Sequence, residues 1–243
     1  AFSGEHSGWH TEDLVNEFSI SRADQDNWAL RSQQRFARAQ AQGDFASEIV
    51  PVTLKSRKGE RQFDADEHNR PDTTLEALQG MKPVFRKDGT ITAGNAPGLN
   101  SAASATLVAE RAWAEANGLK PAARLVAFGI AGVEPERFGI GPVPAVQRML
   151  DAAGWKVDDV ERWEINEAFA AIALAVLREL GLKEDRVNVD GGAIAHGHPV
   201  GATGAILSTR LIHGLRRSGQ TRGVATMCIG GGQGIALALE LLD

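Results

Sequence analysis

The chain has 243 residues, of which 43% are hydrophobic, and a formal net charge of −5. This length allows one or two domains with a buried core. The charges are dispersed and slightly acidic, which gives no support to nucleic-acid binding, and no apolar run approaches the roughly 18 residues of a membrane span. The single cysteine excludes an internal disulfide and suits a reducing cytoplasm.

Residues 1–99 are the more polar and irregular part, which is typical of a lid or insertion over a more regular core. They begin without Met or a signal-peptide pattern, on sequence like the middle of a domain, so we expect processing or a piece of a longer protein. Ser21 is the expected N-cap of a helix, with Asp24 completing a capping box. The predicted elements are helices over 11–18, 22–42 and 71–78, and strands over 49–54, 61–63 and 83–85, with a charged turn over 55–60.

After Gly94 the composition becomes small and apolar, and strands alternate with helices, which predicts a layered α/β domain. Residues 125–130 are expected to form a strand with both faces buried. Gly154 and Gly181 are expected to end helices. The predicted elements are a strand or helix start over 101–109, helices over 109–116, 143–153, 167–180 and 201–215, strands over 125–130 and 163–165, and two terminal strands around Cys228.

Three turns carry residues capable of chemistry, and we expect each at the carboxyl end of a strand, where open α/β sheets bind ligands. The first turn, over 163–170, reads Trp-Glu-Ile-Asn-Glu-Ala-Phe-Ala. Asn166 stands where a helix is expected to begin, so one interpretation is an N-cap. The other is that its amide holds a water or a substrate oxygen.

The second turn, over 191–204, combines two histidines with a high density of glycine. Glycines allow close backbone approach, and the N-terminus of the following helix favours a developing negative charge. His198 is therefore a candidate catalytic residue, with a buried structural histidine as the alternative. His196 suggests a metal pair with His198, but no third ligand follows at suitable spacing, so we predict no metal site.

The third turn contains Cys228, followed by Ile229 and three glycines. Alone, a buried cysteine before such a turn is more often a small core residue. Together, the three turns can assemble a thiol, an imidazole and a carboxamide beside backbone donors. That set suits acyl transfer through a thioester and a carbanion or oxyanion.

These turns resemble the C-terminal signature of the thiolases, the acyl-CoA C-acyltransferases. Asn-Glu-Ala-Phe, Gly-His-Pro-Val-Gly and Cys-Ile-Gly-Gly-Gly occur in the family's order, and the loop over 92–100 and the segment over 20–33 also match. The resemblance runs the whole length but covers only about the last three-fifths of a thiolase. It implies a thiolase α/β fold with a layered α-β-α-β-α core. The implied parts are a loop or lid domain over 1–99, the end of the N-terminal core half over 100–121, and the complete C-terminal core domain over 122–243.

The resemblance also implies roles at the reacting centre. In thiolases a nucleophilic cysteine in the first half carries the acyl group. His198 would activate that cysteine and help to bind the thioester oxygen, and Asn166 would position a water in the same oxyanion hole. Cys228 would be the second cysteine, the acid and base at the substrate α-carbon. The Gly230 amide would serve a second oxyanion hole.

For the substrate, the resemblance implies coenzyme A or acyl-CoA, with no tightly bound cofactor. His6 and Phe169 would lie along the pantetheine tunnel, and Arg70 near the CoA nucleotide. Ala93 and Pro97 belong to the matched loop over 92–100 and are also expected at the CoA site. Pro97 stands where the family commonly has Ser, so the acyl chain length stays open. A cytoplasmic dimer or tetramer of complete units is expected.

One departure decides how the function is read: the family's Cys-Gly-Ser-Gly nucleophile motif is absent. We therefore expect a β-ketothiolase subunit or fragment whose nucleophilic cysteine comes from a missing N-terminal segment or a companion chain. The alternative is a catalytically silent acyl-CoA-binding or scaffolding subunit. A β-ketoacyl synthase-like condensing enzyme is disfavoured, because those enzymes commonly have histidine or asparagine where Cys228 stands.

Overall fold

The computed structural model describes residues 3–242, and its regular elements follow the chain as a helical, loop-rich part and then a mixed α/β part. The helices are α1 (Ser7–Glu17), α2 (Arg22–Ala41), α3 (Leu75–Gln79), α4 (Arg111–Ala116), α5 (Pro142–Ala153), α6 (Ala170–Leu180), α7 (Ala193–His196) and α8 (Thr203–Ser218). The strands are β1 (Val52–Ser56), β2 (Gly59–Phe63), β3 (Ala123–Gly132), β4 (Arg162–Ile165), β5 (Arg222–Ile229) and β6 (Gln233–Leu241).

Strands β3 to β6 form one sheet in the order β3-β6-β5-β4, and β1 pairs with β2 in a separate hairpin. The β4–β5 pair is parallel, whereas β6 runs antiparallel to both of its neighbours. On one face of the sheet, Val224 joins the main core, which includes α5 and α6. On the other face, Ala225 packs with α8 through leucines at 207, 211 and 215, spaced one helical turn apart. The sheet therefore lies between helical layers.

Helix α6 is deeply buried in the core. Its first eight residues, four of them alanines, are all buried. A helix that is apolar on every side needs neighbours all round, and α1, α2 and α5 all pack against α6. This packing places α1 and α2 directly against the mixed α/β part of the chain.

Several local predictions are confirmed. Ser21 and Asp24 form the capping box at the start of α2. Gly154 and Gly181 end α5 and α6 in the left-handed conformation, with φ of 67° and 63°. The two terminal strands pair on either side of the turn after Cys228. Each of these features depends mainly on contacts within a few residues.

Other predictions are wrong. Strand β3 is not buried on both faces: Phe128 is 59% and Ile130 55% exposed, because α5 packs on the opposite face of the strand, against Gly129. Residues 101–109 form neither strand nor helix, and 83–85 form no strand, although the Val84 N–H donates to the Ile91 carbonyl at 2.9 Å. The second turn follows no strand either, because Val187 makes only an isolated bridge.

Some predicted boundaries also shift. The helix expected from 167 begins at Ala170, and the helix expected from 71 begins at Leu75. Thr74 explains the second shift, since its hydroxyl accepts the Ala77 N–H at 3.1 Å and caps α3. The helix expected over 201–215 runs from Thr203 to Ser218. The hairpin turn of β1 and β2 is also shorter than 55–60, because the ladder continues to Ser56 and Gly59.

Candidate active site

An open cavity of about 830 Å³ lies between the carboxyl end of β5, the start of α8 and the lid. Its wall is mostly apolar. Asn166 lies buried beside the lining His198, whereas Arg70 and Ala93 are exposed and not among the residues that line the cavity. The predicted site residues that line it are His6, Pro97, Phe169, His198, Cys228 and Gly230.

Asn166 occupies the carboxyl end of β4, where its N–H donates to the Thr226 carbonyl at 3.0 Å and extends the ladder to β5. Its side-chain nitrogen lies 3.4 Å from Nε2 of His198. Its Oδ1 is buried and has no partner among the described residues. Asn166 is not a helix cap, because α6 begins only at Ala170, with Phe169 at the cap position. The amide is therefore free to serve the cavity.

His198 is held from both its backbone and its ring. Its N–H lies 3.0 Å from the Gly98 carbonyl and 3.3 Å from Asn100 Oδ1. Its Nδ1 lies 2.7 Å from the hydroxyl of Thr203, the first residue of α8. Burial lowers the pKa of the imidazole, so the ring is neutral at pH 7 and able to accept a proton.

Cys228 lies opposite Gly234 near the end of the β5–β6 hairpin and is only 7% exposed. Burial raises the pKa of its thiol to about 12, because the thiolate is poorly solvated there. At neutral pH the group is therefore a thiol, able to donate a proton. The turn continues through Gly230 to Gly231 and Gly232, which have φ of 91° and 86° and favour glycine for that reason.

Glu167 connects the segments that carry the site residues, a role that was not predicted from the sequence. It follows Asn166 directly and is 1% exposed. Its carboxylate accepts hydrogen bonds from Trp28 Nε1 at 2.9 Å, Ser32 Oγ at 2.8 Å, Asn188 Nδ2 at 2.9 Å and the Ile194 N–H at 3.0 Å. These donors satisfy the buried charge and join the lid helix α2 to the second turn. The signal in the sequence was an acidic residue directly before the apolar run that begins at Ala168.

His6 also has a definite position at the cavity. Its Nδ1 accepts the Gly8 N–H at 3.0 Å, so its ring caps α1. The ring stacks on Phe85 with centroids 4.8 Å apart, and Phe85 meets Phe169 edge-on at 5.8 Å. Phe85 lines the cavity, although the sequence indicated only a short strand there. The three rings form an aromatic side to the cavity.

The His196 side chain does not line the cavity. It is 8% exposed, and burial lowers its pKa well below the ordinary value. It is not among the residues lining the cavity, and its ring lies 6.1 Å from that of Phe36. Within residues 3–242, no group of three or more His, Cys, Asp or Glu side chains is arranged to hold a metal ion. The suggested pairing of His196 with His198 thus has no geometric support.

Two family models match the chain. The model for "Thiolase, N-terminal domain" matches residues 1–112, and the model for "Thiolase, C-terminal domain" matches residues 119–241. The chain belongs to the thiolase family. The family and the fold expected from the three turns are therefore confirmed.

Curated relatives extend this assignment. The thiolase chain is 50% identical over 240 residues to the acetyl-CoA acetyltransferase of Paracoccus denitrificans, covering 99% of this chain and 61% of the relative. It is 53% identical over 231 residues to the beta-ketoadipyl-CoA thiolase of Pseudomonas knackmussii, covering 94% of this chain and 58% of that relative. The thiolase chain thus spans about three-fifths of the length of these relatives.

Solved structures agree. The acetyl-CoA acetyltransferase of Bacillus anthracis superposes with a TM-score of 0.92 and 44% identity, covering 98% of this chain and 60% of that one. Human mitochondrial 3-ketoacyl-CoA thiolase in complex with CoA gives 0.89 and 41%, covering 97% and 58%. Among the described residues of the thiolase chain, no helix combines the length and apolarity needed to cross a membrane.

Proposed function

We propose that this chain forms the acid/base half of a β-ketoacyl-CoA thiolase, an acyltransferase, and that the nucleophilic cysteine comes from outside these 243 residues. The reaction is thiolytic cleavage of a 3-ketoacyl-CoA, or its reverse, condensation of two acyl-CoA molecules. The observation that carries the proposal is that His198 and Cys228 line one cavity and that Asn166 lies 3.4 Å from His198, although the three residues come from separate turns.

In the cleavage direction, the incoming cysteine gives its proton to the neutral imidazole of His198 and attacks the keto carbon. The bond between the keto carbon and the α-carbon then breaks, leaving an acyl thioester and an acetyl-CoA enolate. Cys228 donates its proton to the enolate carbon. The raised pKa of Cys228 supports this order, since the group starts as a thiol.

In the second step, the CoA thiol loses its proton to the Cys228 thiolate and attacks the acyl thioester. The nucleophilic cysteine leaves as a thiolate and recovers the proton held by His198. All protons are thus returned. The proton on His198 and the Asn166 amide stabilise the oxyanion of the thioester step, and the Gly230 amide is assigned to the enolate oxygen.

One variant separates the acid/base role of Cys228 from the role of the nucleophilic cysteine. In the completed enzyme, Cys228→Ser abolishes exchange of the acetyl-CoA α-protons with solvent but leaves acylation of the nucleophilic cysteine measurable. Loss of acylation with exchange intact would reverse these roles.

An exposed apolar surface supports the proposal that an additional segment or chain completes the site. Phe128 and Ile130 of β3 are more than half exposed, and they pair with Leu237 and Ile235 of β6, which line the cavity. Directly paired residues place their side chains on the same face of a sheet. The apolar face therefore continues from the cavity to the sheet edge, and a surface of this kind marks an interface.

The segment over 101–110 supports the same proposal. It contains Leu107 and Val108, which are 80% and 82% exposed, and it has no regular structure. Two adjacent exposed apolar residues in such an irregular segment suit a strand whose partners are elsewhere. We assign 100–121 to the end of an N-terminal core half, between a loop domain over 1–99 and a core domain over 122–243.

Coenzyme A and acyl-CoA are the proposed substrates. His6 and Phe169 line the cavity, which supports their assignment to the pantetheine arm, and Pro97 lines it too, which supports its place at the CoA site. Arg70 and Ala93 are exposed, and their assignment to the CoA site rests on the resemblance alone. We also propose a cytoplasmic dimer or tetramer of complete units.

The test supplies the missing part. The chain is co-expressed with the segment of the Paracoccus denitrificans relative that it does not span, and CoA-dependent loss of acetoacetyl-CoA is measured. Cleavage is expected, and it should vanish when the nucleophilic cysteine of the added segment is replaced by serine. A stable complex that binds CoA without cleaving substrate would favour the alternative, a silent acyl-CoA-binding subunit, for which the single cysteine is the supporting observation.

A further inference from the structure

Thr203 makes two contacts that depend on where a single proton lies. Its hydroxyl oxygen is 3.0 Å from the Pro199 carbonyl oxygen and 2.7 Å from Nδ1 of His198. The side chain is fully buried. A hydroxyl has one proton to donate and two lone pairs to accept with. If that proton goes to Pro199, the contact with His198 is a hydrogen bond only when Nδ1 carries the proton.

Two proton arrangements are open to these groups. In the first, Nδ1–H of His198 donates to Thr203, the hydroxyl donates to Pro199, and the Asn166 amide donates to the Nε2 lone pair at 3.4 Å. In the second, the hydroxyl donates to Nδ1 and Nε2–H donates to a turned Asn166 amide. The second arrangement gives up the bond to Pro199. Because Thr203 has no access to water that could compensate, the arrangement with three bonds is favoured.

We infer that Thr203 is the positioning residue that holds neutral His198 as the Nδ1–H tautomer, so that the Nε2 lone pair faces the cavity. The tautomer follows from the contacts alone. Its catalytic consequence rests on the proposed function: only a ring with a free Nε2 lone pair can take the proton of an incoming thiol on the cavity side. The long 3.4 Å contact with Asn166 is a weak bond, which an entering thiol can replace.

The charged and titratable groups around His198 do not determine which ring nitrogen carries the proton. The backbone N–H of His198 donates to Asn100 Oδ1 at 3.3 Å, and the side-chain nitrogen of Asn100 lies 3.3 Å from Nδ1 of His68. The only cause behind the lowered pKa of His198 is burial. The ring orientation is therefore set by hydrogen bonds, with Thr203 as the shortest one.

The test is nitrogen-15 NMR of the chain labelled at its histidine rings, at about pH 8, where ordinary imidazoles are neutral. The ring nitrogens of His198 are assigned by their disappearance in His198→Gln. We expect Nδ1 protonated and Nε2 unprotonated in the wild type and in Thr203→Ser. Thr203→Val removes the acceptor while keeping the shape, and we expect its Nε2–H form to rise to at least half. A wild type dominated by Nε2–H, or a Thr203→Val spectrum identical to the wild type, would overturn the inference.

Activity gives the second readout, in the enzyme completed with the nucleophile segment. Thr203→Val should lower kcat about 100-fold, at the lower end of what general-base catalysis contributes, with little change in KM, and Thr203→Ser should restore it. Equal loss in both variants would show a packing role only and would contradict the inference. If the tautomers behave as expected but the completed enzyme never cleaves substrate, the proposed function fails while the assignment of Thr203 stands.

Discussion

The side-chain nitrogen of Asn166 lies 3.4 Å from Nε2 of His198, a residue 32 positions further along the chain. The contact exists because β4 ends at Ile165 and the second turn returns to the same edge of the sheet. Asn166 contributes through one amide, and its Oδ1 has no partner within residues 3–242. A buried acceptor of this kind needs a water or a ligand.

In the completed enzyme, Asn166→Ala should lower kcat about 100-fold or more with a small effect on KM. The reason is that a single oxyanion donor contributes on the order of 100- to 1,000-fold. The measurement is steady-state cleavage of acetoacetyl-CoA. Asn16→Ala, which changes an exposed asparagine on α1, is the matched control. A KM effect alone would assign Asn166 to substrate binding instead.

The single cysteine makes thiol reactivity easy to read. Because burial raises the pKa of Cys228 to about 12, iodoacetamide at about pH 8 should modify the folded chain on the order of a thousandfold more slowly than the urea-unfolded chain, whose thiol has a pKa of about 8.5. The rate should rise about tenfold for each pH unit up to about pH 10. Mass spectrometry follows the product, with Cys228→Ser as the blank. A rate that levels off below pH 9 would contradict the raised pKa.

Glu164 should make the folded chain sensitive to pH. Burial raises the pKa of its carboxyl to about 7, against the opposing effect of Arg162, whose guanidinium lies 3.1 Å away. Between about pH 4.5 and 7 the folded state therefore keeps a proton that the unfolded state has lost. The contribution of this group to the free energy of unfolding must fall as the pH rises through that window.

Glu164→Gln should remove this dependence, so that the variant gains stability relative to the wild type between about pH 5 and pH 8. Urea unfolding at both pH values measures the difference. Glu179→Gln, at an exposed position on α6, is the control and should leave the pH profile unchanged. A difference between the wild type and Glu164→Gln that stays constant between these pH values would mean that the carboxyl is ionised throughout and would contradict the raised pKa.

Gly129 lies where α5 packs closely against β3. A Cβ at this position would lie 2.1 Å from the Ala145 carbonyl oxygen and 2.8 Å from the Met149 nitrogen. Both are backbone atoms, which cannot move away by a change of rotamer. We expect Gly129→Ala to lower the free energy of unfolding by about 1–3 kcal/mol, as overpacking usually does. Urea unfolding tests this. Gly80→Ala, whose nearest atom would be 3.5 Å away, should change stability by less than Gly129→Ala.

The sequence alone was sufficient to predict local structure that depends on residues close to one another along the chain. The capping box of Ser21 and Asp24 and the left-handed caps at Gly154 and Gly181 are short-range features, because their hydrogen bonds close within a few residues. The order of the three turns was sufficient for the family. The absence of a second cysteine also follows from composition alone.

Tertiary structure decided the rest, because those properties depend on distant groups. Phe128 is more than half exposed because α5 covers only the opposite face of β3, and no local pattern in the sequence indicates which face is covered. Glu167 joins α2 to the second turn only because hydrogen-bond donors from both segments reach its buried carboxylate. Asn166 changes from a candidate helix cap to a partner of His198 because α6 begins at Ala170. A residue type indicates which chemistry is available, but the folded neighbours set its solvation and its hydrogen bonds, and therefore its use.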